Sequence, residues 1–247
     1  MNAAIRIDDL TVSYRRHPAV HHLSGVFAKG SLTAIVGPNG AGKSSLLAAL
    51  VGRVRPTTGV VEIQSGLQQR IAYLPQQAEI DRGFPIRVLD VVMLGHWARL
   101  GGYSGTDTTF LGQAFEALDA VGLDGFGSRS IGELSVGQLQ RVLFARVLLQ
   151  DAAVILLDEP FNAIDARTTA DLIEVVGRWH DEGRTIVTVL HDLEQVRAHF
   201  PQTLLLAREV IAWGATVQVL CAENLRRARQ MAEGWDDQAA WCGRRAA

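Results

Sequence analysis

Residues 37–45 have the types and spacing that bind phosphate, G-x-x-x-x-G-K-[ST]. The segment consists of Gly37, Pro38, Asn39, Gly40, Ala41, Gly42, Lys43, Ser44 and Ser45. An apolar run at 32–36 predicts a buried strand before it, and residues 46–50 predict the first turns of a helix after it. Glycines let successive backbone N–H groups point at an anion, and the helix N-terminus adds a partial positive charge. The segment therefore predicts binding of a nucleoside triphosphate.

Composition supports a special role for the lysine of this segment. Of 24 basic residues only Lys29 and Lys43 are lysines, so Lys43 does not reflect a lysine-rich chain. A compact ammonium on a flexible stem suits a phosphate cradle better than a planar guanidinium. We expect Lys43 to reach the β- and γ-phosphates and Ser44 to bind Mg²⁺. The alternative is a glycine-rich turn before an ordinary helix.

Two adjacent carboxylates, Asp158 and Glu159, follow a second apolar run at 153–157. Carboxylates at the end of a buried strand are costly unless each has a task. In a phosphate-binding chain, Asp158 can hold the Mg²⁺ shell and Glu159 can orient the attacking water. A solvated turn is the alternative interpretation.

Three single residues are candidates for the same site. Tyr14 lies upstream of the phosphate-binding segment, where its ring can stack on adenine or simply half-cover a strand. Gln76 follows a predicted strand at 70–74 and can coordinate Mg²⁺ or position water, or be an ordinary loop amide. His191 ends a predicted strand at 184–190 that lies beside the phosphate-binding strand, so it can reach a γ-phosphate; a lone histidine is more often structural.

The remaining pattern predicts an α/β fold with an antiparallel β region near its start and a helical insert. Strands are predicted at 3–12, 20–27, 60–63, 203–206 and 210–213, and helices at 88–94, 108–121, 135–149, 166–180 and near 216–232. Strand patterns stop at about residue 78 and resume after 149, so the insert spans about 78–149 of a domain covering 1–232. Residues 233–247 form a C-terminal tail without a clear pattern.

Length and composition narrow the class of protein. The 247 residues allow a substantial core, and a net charge of −2 argues against nucleic-acid binding. Cys221 and Cys242 lack metal-ligand spacing and are expected to be free thiols in a reducing compartment. Asp8 and Asp9 exclude a secretory signal, and no apolar run approaches the ~20 residues that span a bilayer. We expect a cytosolic chain unless another subunit holds it to a membrane.

The order of these motifs resembles the ATP-binding subunits of ABC transporters, to about residue 230. Leu134-Ser135-Val136-Gly137-Gln138 is similar to the LSGGQ signature of these ATPases. The other motifs are Walker A (37–45), Walker B (154–159), the Q-loop (Gln76), the A-loop (Tyr14), the D-loop (Asp165) and the switch histidine (His191). The resemblance implies a P-loop NTPase core of the RecA-like type.

The resemblance also implies a head-to-tail homodimer that binds two ATP molecules. Each ATP would lie between Lys43 of one subunit and the signature of the other. The implied contacts from that side are Ser135 and Gly137, and Gln138 and Asp165 are also implied to bind the nucleotide. The implied catalytic residues are Lys43, Gln76, Glu159 as general base and His191, and the implied Mg²⁺ ligands are Ser44, Gln76 and Asp158. Val136 replaces the usual glycine, and we expect a functional site with altered dimer affinity.

A narrower resemblance concerns the zinc- and manganese-uptake branch. Residues 84–95 and 160–165 are similar to it, although that branch often has Arg in place of His96 and a small residue and Gly in place of Asn162-Ala163. Such importers pair this subunit with a membrane permease and an extracytoplasmic metal-binding protein. The resemblance implies a peripheral subunit at the cytoplasmic face of the inner membrane that powers metal import. Zinc is preferred to manganese as cargo, and residues 84–95 are the expected permease contact.

Three other functions fit part of the pattern. ATPases that drive import of an iron chelate or vitamin B12 share the whole motif set. Soluble ABC ATPases acting on DNA or ribosomes typically add coiled coils or a second ATPase domain, for which this chain has no room; membrane co-purification would discriminate them. A nucleotide kinase gives residues 135–138 no role.

Overall fold

A computed structural model describes residues 3–15, 17–76, 83–100 and 108–233. The chain divides into two compact units. The first unit contains residues up to Ala28, Thr33–Ile63 and the chain from Val189, and the second contains Lys29–Leu32 and Gln64–Thr188. The predicted tail beyond residue 233, with Cys242, lies outside the described residues. The predicted limits of the helical insert stay predictions.

The described residues form strands and helices in alternation. The strands are β1 (Ala3–Tyr14), β2 (His17–Ala28), β3 (Leu32–Val36), β4 (Thr58–Ile63), β5 (Ile71–Leu74), β6 (Val154–Asp158), β7 (Thr185–Val189), β8 (Gln202–Ala207) and β9 (Glu209–Ala215). The helices are α1 (Lys43–Leu50), α2 (Val88–Leu100), α3 (Thr108–Ala120), α4 (Val136–Leu149), α5 (Ala166–Asp181), α6 (Leu193–His199), α7 (Thr216–Val219) and α8 (Ala222–Glu233), with a 3₁₀ turn at Ile131–Glu133. This arrangement confirms the predicted α/β class.

The first unit contains an antiparallel sheet and part of a parallel one. The antiparallel sheet has the order β2-β1-β4, which confirms the predicted β region. β3 pairs in parallel with β8, and β8 pairs antiparallel with β9. The Phe27 and Trp213 rings lie 4.7 Å apart and join β2 to β9. Gly25 permits this contact, since a Cβ there would lie 2.2 Å from the Trp213 ring.

In the second unit, helices α2, α3 and α4 lie between strands β5 and β6 in the sequence. β5 pairs in parallel with β6, and β7 follows in the order β5-β6-β7. Every residue of β6 is buried, which explains its continuous apolar sequence. Helices α2 and α3 pack against α4, and the stacked rings of Phe144 and Trp179, 5.6 Å apart, join α4 to α5. Helices α2, α3 and α4 therefore pack together, and α4 joins them to α5.

Helix α2 continues to Leu100, beyond its predicted end at residue 94, and two further details differ from the sequence prediction. Helix α6 was not predicted, because Leu193 and Val196 alone are too few to reveal a period. Its start is fixed by Asp192, whose carboxylate accepts hydrogen bonds from the backbone N–H groups of Glu194 and Gln195. The helical region predicted near 216–232 is divided into α7 and α8. Across the described residues, no helix is both long and apolar enough to cross a membrane.

Candidate functional site

The phosphate-binding segment forms a closely packed loop between β3 and α1. Gly37 and Gly42 have φ of 156° and 89°, and added Cβ atoms would lie 1.9 Å from the Leu206 carbonyl oxygen and 2.0 Å from that of Ala19. Only glycine fits such positions without moving the backbone. Gly42 is also the N-cap of α1, and no side chain caps that helix. The N-terminus of α1 is therefore shaped to receive an anion.

Lys43 lies on the inside of this loop. Its side chain is only 6% exposed, and Nζ donates hydrogen bonds to the carbonyl oxygens of Gly37, at 2.9 Å, and Pro38, at 3.0 Å. A buried ammonium needs such partners. The loop carbonyls thus hold the lysine charge beside the N-terminus of α1, where a phosphate group would add to its coordination.

Tyr14 ends β1 and lies in a groove beside the phosphate loop. The ring is 49% exposed, so its face is accessible for stacking. This groove, named here the base groove, has a volume of about 330 Å³. It is lined by Tyr14, His17, Pro18, Ala19, Gly40 and Arg208. Its size falls within the usual range for small-ligand sites, about 300–1,000 Å³.

His191 follows β7 in the first unit. The Leu190 N–H donates to the Ile35 carbonyl oxygen at 3.1 Å, which places the residue before His191 beside the phosphate-loop strand. Asp192 caps α6 directly after it. The structure thus agrees with the expected adjacency to the phosphate-binding strand.

The two carboxylates after the second apolar run have different environments. Asp158 is 2% exposed at the end of β6, whereas Glu159 leaves the strand with a left-handed φ of 50°. Gln76 Nε2 donates to Glu159 Oε2 at 2.6 Å, and Asn162 Nδ2 donates to the same oxygen at 3.3 Å. Two amides therefore fix the orientation of the Glu159 carboxylate. Asn162 was not assigned to the site from the sequence; its place three residues after Glu159 was the available signal.

The signature-like residues begin helix α4. The Ser135 hydroxyl accepts from the Gln138 N–H at 3.2 Å, and Gln138 Oε1 accepts from the Ser135 N–H at 2.9 Å. This capping box fixes both side chains at the helix N-terminus. Val136 points outward and is 51% exposed. The bulky residue that replaces the usual glycine is thus at the surface.

Asp165 lies beside the signature-like residues in the second unit. Its carboxylate accepts from the Thr168 N–H at 2.9 Å and from the Thr168 hydroxyl at 2.8 Å, and so caps α5. The backbone hydrogen bond from Thr168, followed by that from its hydroxyl, lowers the pKa of Asp165. A Cβ on Gly137 would lie 3.6 Å from Asp165 Oδ2. Gly137 and Asp165 are therefore neighbours in the second unit.

The predicted residues thus form three groups. The first unit holds Tyr14, the phosphate loop and His191. The second unit holds Gln76 with Asp158 and Glu159, and separately the 135–138 segment with Asp165. Arg208, which lines the base groove, belongs to no motif and was not found from the sequence.

Comparison with known proteins identifies the family. The family model described as "ABC transporter" matches residues 20–162, more than half of the chain. This chain belongs to the ABC transporter family. It is an ABC ATPase, an ATP-binding and ATP-hydrolysing subunit, and both the family and the enzyme class predicted above are confirmed.

Similar proteins cover almost all of this ABC ATPase. The zinc transport system ATP-binding protein TroB of Treponema pallidum is 39% identical over 91% of this chain and 86% of its own length. The manganese transport system ATP-binding protein MntB of Listeria innocua is 40% identical over 90% of this chain and 94% of its own. A solved ABC transporter described as metal-chelate type, in an inward-facing conformation, has a TM-score of 0.83 and 30% identity, covering 93% of this chain and 90% of its own. The predicted P-loop NTPase fold is thereby confirmed.

Proposed function

We propose that this ABC ATPase powers import of a divalent transition metal through a membrane permease, with zinc as the first candidate cargo and manganese as the second. The observation that carries the proposal is the similarity over about nine-tenths of the chain to the ATP-binding proteins of zinc and manganese transport systems. The resemblance of residues 84–95 and 160–165 points to the same branch. The metal is the transported substrate, and this subunit supplies the energy.

The first unit binds the nucleotide in this proposal. The loop N–H groups of residues 37–45 and the N-terminus of α1 receive the phosphates, and Lys43 holds the β- and γ-phosphates. Tyr14 stacks on the adenine, because its exposed ring faces a groove that continues to Gly40 of the loop. His191 contacts the γ-phosphate from the chain segment beside β3. At Gly37 and Gly42 the loop packs too closely against neighbouring backbone to allow a Cβ. Because neither residue has a side chain, the loop backbone can approach an anion, which supports this assignment.

Glu159 is the proposed general base. Its carboxylate takes a proton from water as the water oxygen bonds to the γ-phosphorus, and the bond to the β–γ bridging oxygen breaks to leave ADP and phosphate. The hydrogen bonds from Gln76 and Asn162 both end on Oε2, so they hold the carboxylate plane in one orientation. This preorganisation supports the assignment of Glu159 as base and of Gln76 as the residue that positions it.

The Mg²⁺ ligands are proposed to be Ser44, Gln76 and Asp158. Hydroxyl, amide and carboxylate oxygens are the ligand atoms that Mg²⁺ prefers. The carboxylate of Asp158 is buried, and a buried carboxylate is a suitable ligand for a cation. When bound, Mg²⁺ neutralises charge on the phosphate oxygens.

The second nucleotide surface is proposed to lie on the partner subunit of a head-to-tail homodimer. Ser135, Gly137 and Gln138 start helix α4, whose N-terminus offers N–H groups to an anion, and Asp165 lies beside them. The exposed Val136 adds apolar bulk to this surface. We expect Val136→Gly to tighten the nucleotide-trapped dimer; a variant dimer no tighter than wild type would remove Val136 as a determinant of dimer affinity.

The permease contact is proposed at residues 84–95, with the subunit held at the cytoplasmic face of the membrane. Val88, Val91 and Val92 of this segment are buried in the second unit, whereas Phe84 and Leu94 are exposed. Phe84 and Leu94 therefore supply the exposed apolar side chains of the proposed contact. An extracytoplasmic metal-binding protein completes the proposed importer and would deliver the metal to the permease.

Elemental analysis tests the cargo. Cells lacking this chain, grown with limiting metal, are compared with cells carrying the wild type or Glu159→Gln. A selective fall in zinc, rescued by wild type alone, is expected. A fall in manganese or iron instead would replace zinc as the cargo. If no metal changes and the chain stays in the soluble fraction with nucleic acid, the transport proposal is wrong.

A further inference from the structure

Arg208 occupies the turn between β8 and β9 with an uncommon backbone conformation. Its φ is 62°, in the left-handed region that a residue with a side chain enters at a cost. Glycine would meet the same geometry without that cost. An arginine at such a position requires contacts that hold it there.

Three hydrogen bonds join Arg208 to the phosphate loop, to the segment after Tyr14 and to β2, all in the first unit. Its backbone N–H donates to the Ala41 carbonyl oxygen in the phosphate loop at 3.0 Å, and its carbonyl oxygen accepts from the His21 N–H of β2 at 2.8 Å. Its guanidinium Nη1 donates to the Pro18 carbonyl oxygen at 3.3 Å. The backbone thus anchors the turn to the loop, and the side chain reaches the segment that follows Tyr14.

The same side chain lies at the border of two depressions in the surface. Arg208 lines the base groove on the side of Tyr14 and Pro18. It also lines a smaller cleft with residues 38–41 of the phosphate loop and Met231 of α8. Arg208 therefore borders both the groove that would hold the base and the cleft beside the phosphate loop.

We propose that Arg208 is a positioning residue that sets the spacing between the base-stacking segment (residues 14–19) and the phosphate loop. A nucleotide must touch both segments at once, so a fixed spacing lowers the cost of ordering them when it binds. This inference rests on the proposed roles of Tyr14 and the phosphate loop. It adds a determinant of nucleotide affinity that lies outside every family motif recognised in the sequence.

Substitutions at Arg208 can separate its side chain from its backbone. Arg208→Gly is compatible with the left-handed conformation and with both backbone hydrogen bonds, and it removes the whole side chain together with its guanidinium. Arg208→Lys retains a flexible cation that can still donate to the Pro18 carbonyl. Arg226→Ala, at an exposed arginine of α8, removes the same charge and serves as control. Thermal unfolding midpoints of the full-length variants verify that each is folded.

Isothermal titration calorimetry with ATP gives the dissociation constants, and steady-state hydrolysis gives kcat. We expect Arg208→Gly to weaken ATP binding roughly three- to tenfold, as the loss of one hydrogen bond of average strength implies, with kcat at saturating ATP unchanged. Arg208→Lys should recover part of the affinity, and Arg226→Ala should bind as wild type does.

A double-mutant cycle with Tyr14→Ala tests whether Arg208 acts through the base-stacking segment. If Arg208 acts by positioning the stacking segment, Arg208→Gly weakens binding little or not at all once the Tyr14 ring is gone. Equal losses with and without the ring, or unchanged affinity of Arg208→Gly in the wild-type background, would overturn the inference. A wild-type chain that does not bind ATP would instead refute the proposed nucleotide site, so the two failures are distinguishable.

Discussion

Replacing Gly42 by alanine tests whether the phosphate loop depends on its close approach to β2. The new Cβ would lie 2.0 Å from the Ala19 carbonyl oxygen, and real Cβ contacts essentially never fall below 3.0 Å. The loop must therefore move by about 1 Å, and a displacement of that size at a reacting centre lowers the reaction rate roughly 100-fold. The left-handed φ of 89° adds a backbone cost of about 1–2 kcal/mol.

Gly52 provides the matched control, because it follows the other end of α1 with a φ of 73° and has no atom within 4 Å of its Cβ position. Denaturant unfolding and ATP titration are measured for both variants. Gly52→Ala should lose about 1–2 kcal/mol of unfolding free energy and keep its ATP affinity. Gly42→Ala should lose at least as much stability, bind ATP more weakly and hydrolyse it about 100-fold more slowly in a phosphate-release assay. If Gly42→Ala binds ATP as tightly as Gly52→Ala, the close approach to Ala19 does not shape the phosphate site.

Three further predictions concern single side chains. Lys43→Ala should lose ATP affinity in a titration, because the buried ammonium is removed, whereas Lys29→Ala, at the exposed second lysine, should bind normally; equal behaviour would contradict the phosphate-loop assignment. Glu159→Gln should bind ATP and dimerise but scarcely hydrolyse it in a phosphate-release assay, and rapid turnover would exclude Glu159 as base. Because its folded pKa is lowered, Asp165 should stabilise the fold fully above its ordinary pKa of 3.8 and lose that contribution as the pH falls further. The unfolding free energies of wild type and Asp165→Ala should therefore differ at neutral pH and converge in acid. A difference that stays constant with pH would refute stabilisation of α5 by the ionised Asp165 carboxylate.

The phosphate-loop strand and the signature helix were predictable because local sequence determines them. β3 spans residues 32–36 as predicted, since a strand buried on both faces has a continuous apolar sequence. Helix α4 begins directly after Ser135 because the spacing of Ser135 and Gln138 forms a capping box. In both places the nearest neighbours in sequence supply the decisive interactions.

The contact between Gln76 and Glu159 was not predictable, because it depends on how two distant strands align. In the structure, Leu74 of β5 lies opposite Leu157 of β6 in a parallel register. Gln76 and Glu159 each come two residues later, so they emerge together at the same edge. A shift of one residue would have pointed one of them to the other face. The sequence placed both near strand ends but contained no signal for the register.

Glu159 and Arg208 share a feature that connects conformation with proposed function. Each directly follows a buried strand, β6 or β8, and each has a left-handed backbone although neither is glycine. Such conformations cost about 1–3 kcal/mol and persist only where surrounding contacts hold them. Gln76 and Asn162 hold the Glu159 side chain, while Ala41 and His21 hold the Arg208 backbone. The left-handed backbone changes the direction of each side chain where its strand ends. Arg208→Gly is therefore compatible with the fold, but the variant is expected to bind nucleotide less tightly.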